Sequence, residues 1–178
     1  MNIAIKSDHL AATKALAGRI SVVTGSTSGI GLGIARALAA AGSAVVLNGF
    51  GKPEAVAEAQ AQIRSDFDVK VFYSPADMSQ PASIQKMIDK TIAAFGRLDI
   101  LVNNAGIQHV APLQAFPPEK WDAILAINLS SAFHTSRLAL PSMLANKWGR
   151  IIISLRRTAW SAPSSRRPMW RPSTALLD

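Results

Sequence analysis

The chain has 178 residues, enough for one domain with a buried core. Hydrophobic residues make up 49% and charged residues 17%, which excludes a disordered segment. There is no cysteine, no apolar run of membrane-span length and no signal-like block in residues 1–18, so a reducing cytoplasm is the expected compartment.

A net charge of +8 points toward nucleic acid or an anionic surface until the charge is located. Residues 1–153 carry 14 Lys and Arg against 10 Asp and Glu. Residues 154–178 carry five Arg (156, 157, 166, 167 and 171) against Asp178 alone. That tail also has no Gly or Lys, but three Pro, five Ser and two Trp. Two compositions therefore meet near Ile153. The chain divides into an N-terminal extension (1–18), a body (19–153) and an Arg/Pro/Ser-rich tail (154–178).

In the body, Ile20–Thr24 is a β-branched run expected to form a buried strand ending in a Gly-rich turn. Ile30, Ile34, Ala37, Leu38 and Ala41 repeat at helical spacing, and Gly42 stops that helix. Ala44–Leu47 is the second strand, and Pro53 opens a helix running to about Asp66. Val69–Tyr73 is the third strand, followed by a helix capped by Ser79 and closed by Gly96. Ile100–Val102 is the fourth strand. A long helical stretch then starts near Pro118, with a break or kink expected at Pro141. Arg150–Ile153 is the fifth strand. Strands alternating with helices of this length predict an α/β fold, a doubly wound parallel sheet covered on both faces.

Between the first strand and helix lies Thr24-Gly25-Ser26-Thr27-Ser28-Gly29-Ile30-Gly31. Glycines at such a junction let a pyrophosphate approach the helix N-terminus, whose orphan N–H groups and dipole favour anions. The T-G-x-x-x-G-x-G spacing differs from G-x-G-x-x-G, has Thr27 where a nucleophile elbow needs Ser, and lacks a Walker Lys.

Asn103-Asn104-Ala105-Gly106 follows the fourth strand at the edge where open α/β sheets bind ligands. Together with the glycine loop, Asp77 after the third strand and Asn128 in Ile127-Asn128-Leu129, it resembles the short-chain dehydrogenase/reductase family from about Arg19 to Arg150. Within that family, Leu47–Gly51, Asn103–His109 and Phe116–Leu125 resemble members acting on D-3-hydroxybutyrate. The resemblance implies a Rossmann-type fold, an NAD-dependent oxidoreductase, a small 3-hydroxy acid as substrate and a homotetramer. It assigns Gly25, Thr27, Ser28, Gly29, Ile30 and Gly31 to the cofactor phosphates and ribose, and Phe50 and Asp77 to the adenosine. Asn104, Ala105 and Gly106 would line the nicotinamide side, Gln108 would meet the substrate carboxylate, and Asn128 would help fix a proton-relay water.

Plainer readings stand beside these. Asp77 also suits an ordinary turn cap, Phe50 a shield over the sheet end, and the Trp121–Leu129 apolar spacing core packing. His109 and His134 lack metal-ligand spacing, so no metal is expected. The acid that binds a ribose 2′-hydroxyl in many NAD enzymes is replaced by Asn48-Gly49-Phe50. No Arg stands there for a 2′-phosphate, although Lys52 is close; the resemblance favours NAD.

The resemblance stops before the chemistry. The family uses a Tyr as general acid/base, a Lys four residues later and an orienting Ser. The only tyrosine is Tyr73, and Asp77 stands four residues after it. A frameshift would account for the loss. The family-like A-S-A-H-G-L-V, written GCT TCG GCG CAC GGC CTG GTC G and read one nucleotide late, becomes Leu155-Arg156-Arg157-Thr158-Ala159-Trp160-Ser161. Y-V-A-A-K-H-G, written TAT GTG GCG GCC AAG CAC GGC and read the same way, begins Met169-Trp170-Arg171-Pro172-Ser173-Thr174. Arg156, Met169 and Ser173 then occupy the catalytic Ser, Tyr and Lys positions, and none can replace its predecessor. The fold is expected to be truncated after the fifth strand, leaving an exposed apolar edge and a lost tetramer interface. A non-catalytic NAD binder is the first alternative. A tail that binds nucleic acid through Arg and Trp is the second, and the frameshift accounts for the same residues without it.

Overall fold

The computed structural model describes residues 14–154. Arg156, Met169 and Ser173, residues 1–13 and all but the first residue of the tail lie outside the described residues.

Five parallel strands form one sheet in the order β3-β2-β1-β4-β5: β1 Ile20–Val23, β2 Ala44–Asn48, β3 Val71–Ser74, β4 Ile100–Asn103 and β5 Arg150–Ile153. In register, Val22 lies opposite Val46 on one side and Leu101 on the other. The strands read as continuous apolar runs because both faces are covered. Val22, Val46 and Leu101 point to one face and pack with Ile84, Met87, Ile88, Ala139 and Met143. Val23, Val45, Leu47, Ile100 and Val102 point to the other and pack with Ala35, Ala39 and Ile63. The first group comes from α3 Pro81–Phe95 and α5 Ser131–Ala145, the second from α1 Gly29–Ala40 and α2 Pro53–Phe67. The order reverses between β1 and β4, and the carboxyl ends there form the switch point where such sheets bind ligands.

Three local expectations are corrected. Ser79 does not cap α3; the capping position is Gln80, and the Ser79 hydroxyl is taken by Asp77 Oδ1 at 2.8 Å. Helix α5 runs unbroken through Pro141, and the irregularity falls earlier. It is a π-helical turn, Ala126–Ser130, between α4 Pro118–Leu125 and α5. The Trp121–Leu129 stripe is mostly not core: Trp121, Leu125 and Leu129 are exposed and α4 buries none of its residues, although Ile127 packs partly against the sheet core. The reason is position, since α4 packs mainly on its own continuation rather than over the sheet.

Part of the N-terminal extension belongs to the packed unit, because Leu16 rests against the α1/α2 core and its N–H donates to the Ala41 carbonyl at 2.8 Å. At the other edge, β5 pairs only with β4, and all four of its residues are exposed among the described residues.

Candidate functional site

Each central strand ends in a polar residue, and these residues tie the carboxyl edge together. Thr24, after β1, is buried; its Oγ1 accepts the N–H groups of Asn104 and Ala105 at 3.0 and 2.9 Å. Asn104 returns the bond, its Nδ2 donating to the Thr24 and Gly25 carbonyls at 3.0 Å each. Asn48, which ends β2, is also buried. Its Oδ1 accepts from the Gly25 N–H at 3.3 Å, while Nδ2 donates to the Ser74 and Ala76 carbonyls. Asn103 Oδ1 accepts from Thr135 of α5 at 2.6 Å. The first and fourth loops are thus cross-linked before any ligand arrives.

Helix α1 begins beneath this framework. Its capping residue Ser28 makes no side-chain cap bond, and its first turn carries no acid. The orphan N–H groups of that turn are left for an anion. Gly29 has φ +56°, and a Cβ there would meet open space, so the helix entrance stays clear. Gly31 serves packing instead: a Cβ would fall 2.1 Å from the Gly25 carbonyl oxygen.

A cleft of about 200 Å³ opens above the helix start, lined by Gly25, Thr27, Ser28, Phe50, Asp77, Ala105, Gly106 and their neighbours. Seven of the sequence-derived residues therefore share one concave surface, with Gly29, Ile30 and Gly31 at the adjoining helix turn. Asp77 sits at its edge, accepting from the Ser79 N–H and hydroxyl through Oδ1, so it also serves the local turn. Phe50 is 68% exposed at the rim rather than packed over the sheet end. Asn104 is turned away from the cleft, toward Thr24 and Gly25. Asn128 lies in the π turn, and both ends of its amide hold Ile107: the Ile107 N–H donates to Oδ1, and Nδ2 donates to the Ile107 carbonyl, each at 2.9 Å. Gln108 is exposed on the loop just beyond this clamp. Among the described residues no cluster of three metal-ligating side chains occurs, and no helix is long and apolar enough to cross a membrane.

Thr24, Ser26 and Thr135 were missed as site-building residues. Their signal was present, since a lone hydroxyl ending an apolar strand or buried on a helix has to find a partner. Ser26 Oγ shows this, donating to the Val23 carbonyl at 2.6 Å and accepting from the Asn48 N–H at 3.0 Å.

The open helix start and the cleft above it leave room for an anionic group. D-beta-hydroxybutyrate dehydrogenase of Cupriavidus necator is 58% identical over 138 residues, 77% of this chain and 52% of that protein. The Rhizobium meliloti protein of the same name is 50% identical over 75% of this chain and 52% of its own length. The chain thus spans about half the length of these curated relatives. Among solved structures, a metagenomic short-chain oxidoreductase in complex with NADP aligns with TM-score 0.74 and 36% identity, over 80% of this chain and 65% of that one. L-sorbose reductase from Gluconobacter frateurii, complexed with NADPH and L-sorbose, gives 0.75 and 31% over 79% and 53%. The short chain dehydrogenase family model matches residues 19–155, and the chain belongs to that family.

Proposed function

We propose that this chain is the cofactor-binding part of an NAD-dependent dehydrogenase acting on D-3-hydroxybutyrate, and that it binds NAD without turning it over. The observation that carries the reading is the single cleft gathering the glycine loop, Phe50, Asp77 and the Asn-Ala-Gly turn at the switch point. The N-terminal turn of α1 would hold the pyrophosphate, and Phe50 and Asp77 would flank the adenosine. Ala105 and Gly106 would border the nicotinamide side. A bound nicotinamide supplies a hydride acceptor for the carbinol carbon of a 3-hydroxy acid. Gln108 would orient the carboxylate, on a loop whose start is held by Asn128.

Among the described residues, no tyrosine or lysine lines the cleft to take the hydroxyl proton. Tyr73 is the only tyrosine, and its hydroxyl is bound to the Gly49 carbonyl. Arg156, Met169 and Ser173 stand at the positions the family resemblance assigns to Ser, Tyr and Lys. Met169 has no ionisable proton, and losing the acid/base alone lowers the rate roughly 10²–10⁴-fold. The frameshift is the proposed origin of these residues. It is tested by sequencing the gene through codons 150–178; an unbroken frame with no Y-x-x-x-K in an adjacent frame overturns it.

The functional test is paired. Calorimetry with NAD is expected to show binding to the 178-residue chain, while D-3-hydroxybutyrate and NAD are expected to yield no NADH. Steady NADH formation by the purified chain refutes the loss of catalysis, and absence of NAD binding to folded protein refutes the reading as a whole.

A further inference from the structure

The connection from β2 to α2 is held from two sides. Tyr73, on β3, donates its hydroxyl to the Gly49 carbonyl at 2.8 Å. Thr27, in the glycine loop, donates Oγ1 to the Phe50 carbonyl at 2.8 Å. Gly49 has φ +140°, and a Cβ there would lie 3.0 Å from Thr27 Oγ1, so the connection already presses against the glycine loop. Asn48 lines the cleft here, but both ends of its amide are already engaged with Gly25, Ser74 and Ala76, so it offers a ligand no free polar group. What remains at this rim is backbone, the exposed Phe50 ring and, one residue past Gly51, the exposed Lys52. An exposed ring has little packing to hold it. Here its backbone is fixed instead by two hydroxyls from other elements.

We infer that Tyr73 and Thr27 are positioning residues that set the choice between NAD and NADP. The inference rests on the proposed NAD-binding role of the cleft. With no acid at the end of β2 to select a ribose 2′-hydroxyl by charge, selection falls to the shape of the rim. The clamp keeps Gly49 and Phe50 against Thr27, so a further phosphate on the ribose would have to displace them. It also fixes the approach to Lys52, the exposed capping residue of α2. Releasing either hydroxyl is expected to let the connection shift and the rim open.

The test uses the whole chain with Tyr73→Phe and Thr27→Val, each read by calorimetric titration with NAD and with NADP. Tyr73 packs partly into the α1/α2 core, so Phe keeps its ring contacts. Each variant is expected to weaken NAD about 3–10-fold, the range for one hydrogen bond, with NADP unchanged or tighter. Equal weakening of both cofactors, or no change in their ratio, overturns the inference and leaves NAD binding standing. Failure of the unaltered chain to bind either cofactor overturns the proposed function and this inference with it. Hydrogen exchange gives a measurement free of cofactor. Amides of residues 49–52 are expected to exchange faster in Tyr73→Phe, and unchanged protection overturns the clamp.

Discussion

Thr24 shows how one hydroxyl can define a site it never touches. Its Oγ1 holds two consecutive amides of the fourth loop and lies 3.4 Å from the Val102 carbonyl. Thr24→Val keeps the shape but strands the Asn104 and Ala105 N–H groups away from water. A loss of about 2–4 kcal/mol is expected in denaturant unfolding, since each stranded donor costs ~1–3 kcal/mol. Thr24→Ser is expected to restore most of it. At this scale the sequence was legible in kind but not in direction. The polar residues Thr24, Asn48, Asn103 and Asn104 were visible at the ends of apolar strands. Yet Asn104 turns inward to carbonyls some 80 residues away in sequence, and only the folded loops determine that. Asp77 braces the turn before α3, as its plainer reading expects, and also lines the cleft.

Helices and strands were far more legible, because burial on two faces writes itself as apolar runs and helical burial as a 3.6-residue repeat. The exceptions have physical causes. Ser79 has the right side chain for a cap, but the adjacent Asp77 carboxylate takes its hydroxyl and its N–H. Pro141 removes one backbone donor without ending α5, which stays pinned to the sheet face by Ala139 and Met143. The Trp121–Leu129 spacing matched a buried helix, yet spacing carries no information on whether a sheet lies beneath it. Within α1, two glycines separate site geometry from helix propensity. Gly33 faces open space, so Gly33→Ala is expected to stabilise the fold by about 0.5–1 kcal/mol through propensity alone. Gly31→Ala gains the same propensity but drives a methyl to 2.1 Å from the Gly25 oxygen and 2.5 Å from Asn104 Nδ2. It is expected to lower the melting temperature and abolish NAD binding, while Gly33→Ala leaves binding intact. A Gly31→Ala protein that binds NAD normally would show that the loop contact does not shape the cleft.

Over the whole molecule, charge and hydrophobicity are unevenly placed. A minority of the body's charge is paired among the described residues: the buried Asp99 carboxylate joins Arg19 at 3.1 Å and Arg97, and Arg36 meets Asp66 at 2.7 Å. Five of the exposed large hydrophobics, Leu140, Leu144 and Ile151–Ile153, meet at one edge. Strand β5 offers Ile151, Ile152 and Ile153, between 38% and 55% exposed, beside an open groove of about 520 Å³ under Leu140 and Leu144 of α5. A β-branched edge that pairs with no further strand among the described residues is a template for another strand, and Arg150 at its start is the one charge on it. The sheet register separates the ways of removing it. Ile151 aligns with Leu101 and shares the α5 face, whereas Ile152 aligns with Val102 on the α1 face, away from the groove. Ile152→Lys therefore charges the edge without disturbing the packing of α5 on the sheet. It is expected to reduce concentration-dependent light scattering of the purified chain several-fold with little change in melting temperature, and Ile152→Val to leave scattering as it was. If Ile152→Lys scatters as strongly as the unaltered chain, self-association runs through the groove face instead, where Leu140→Lys would then be the substitution that lowers it.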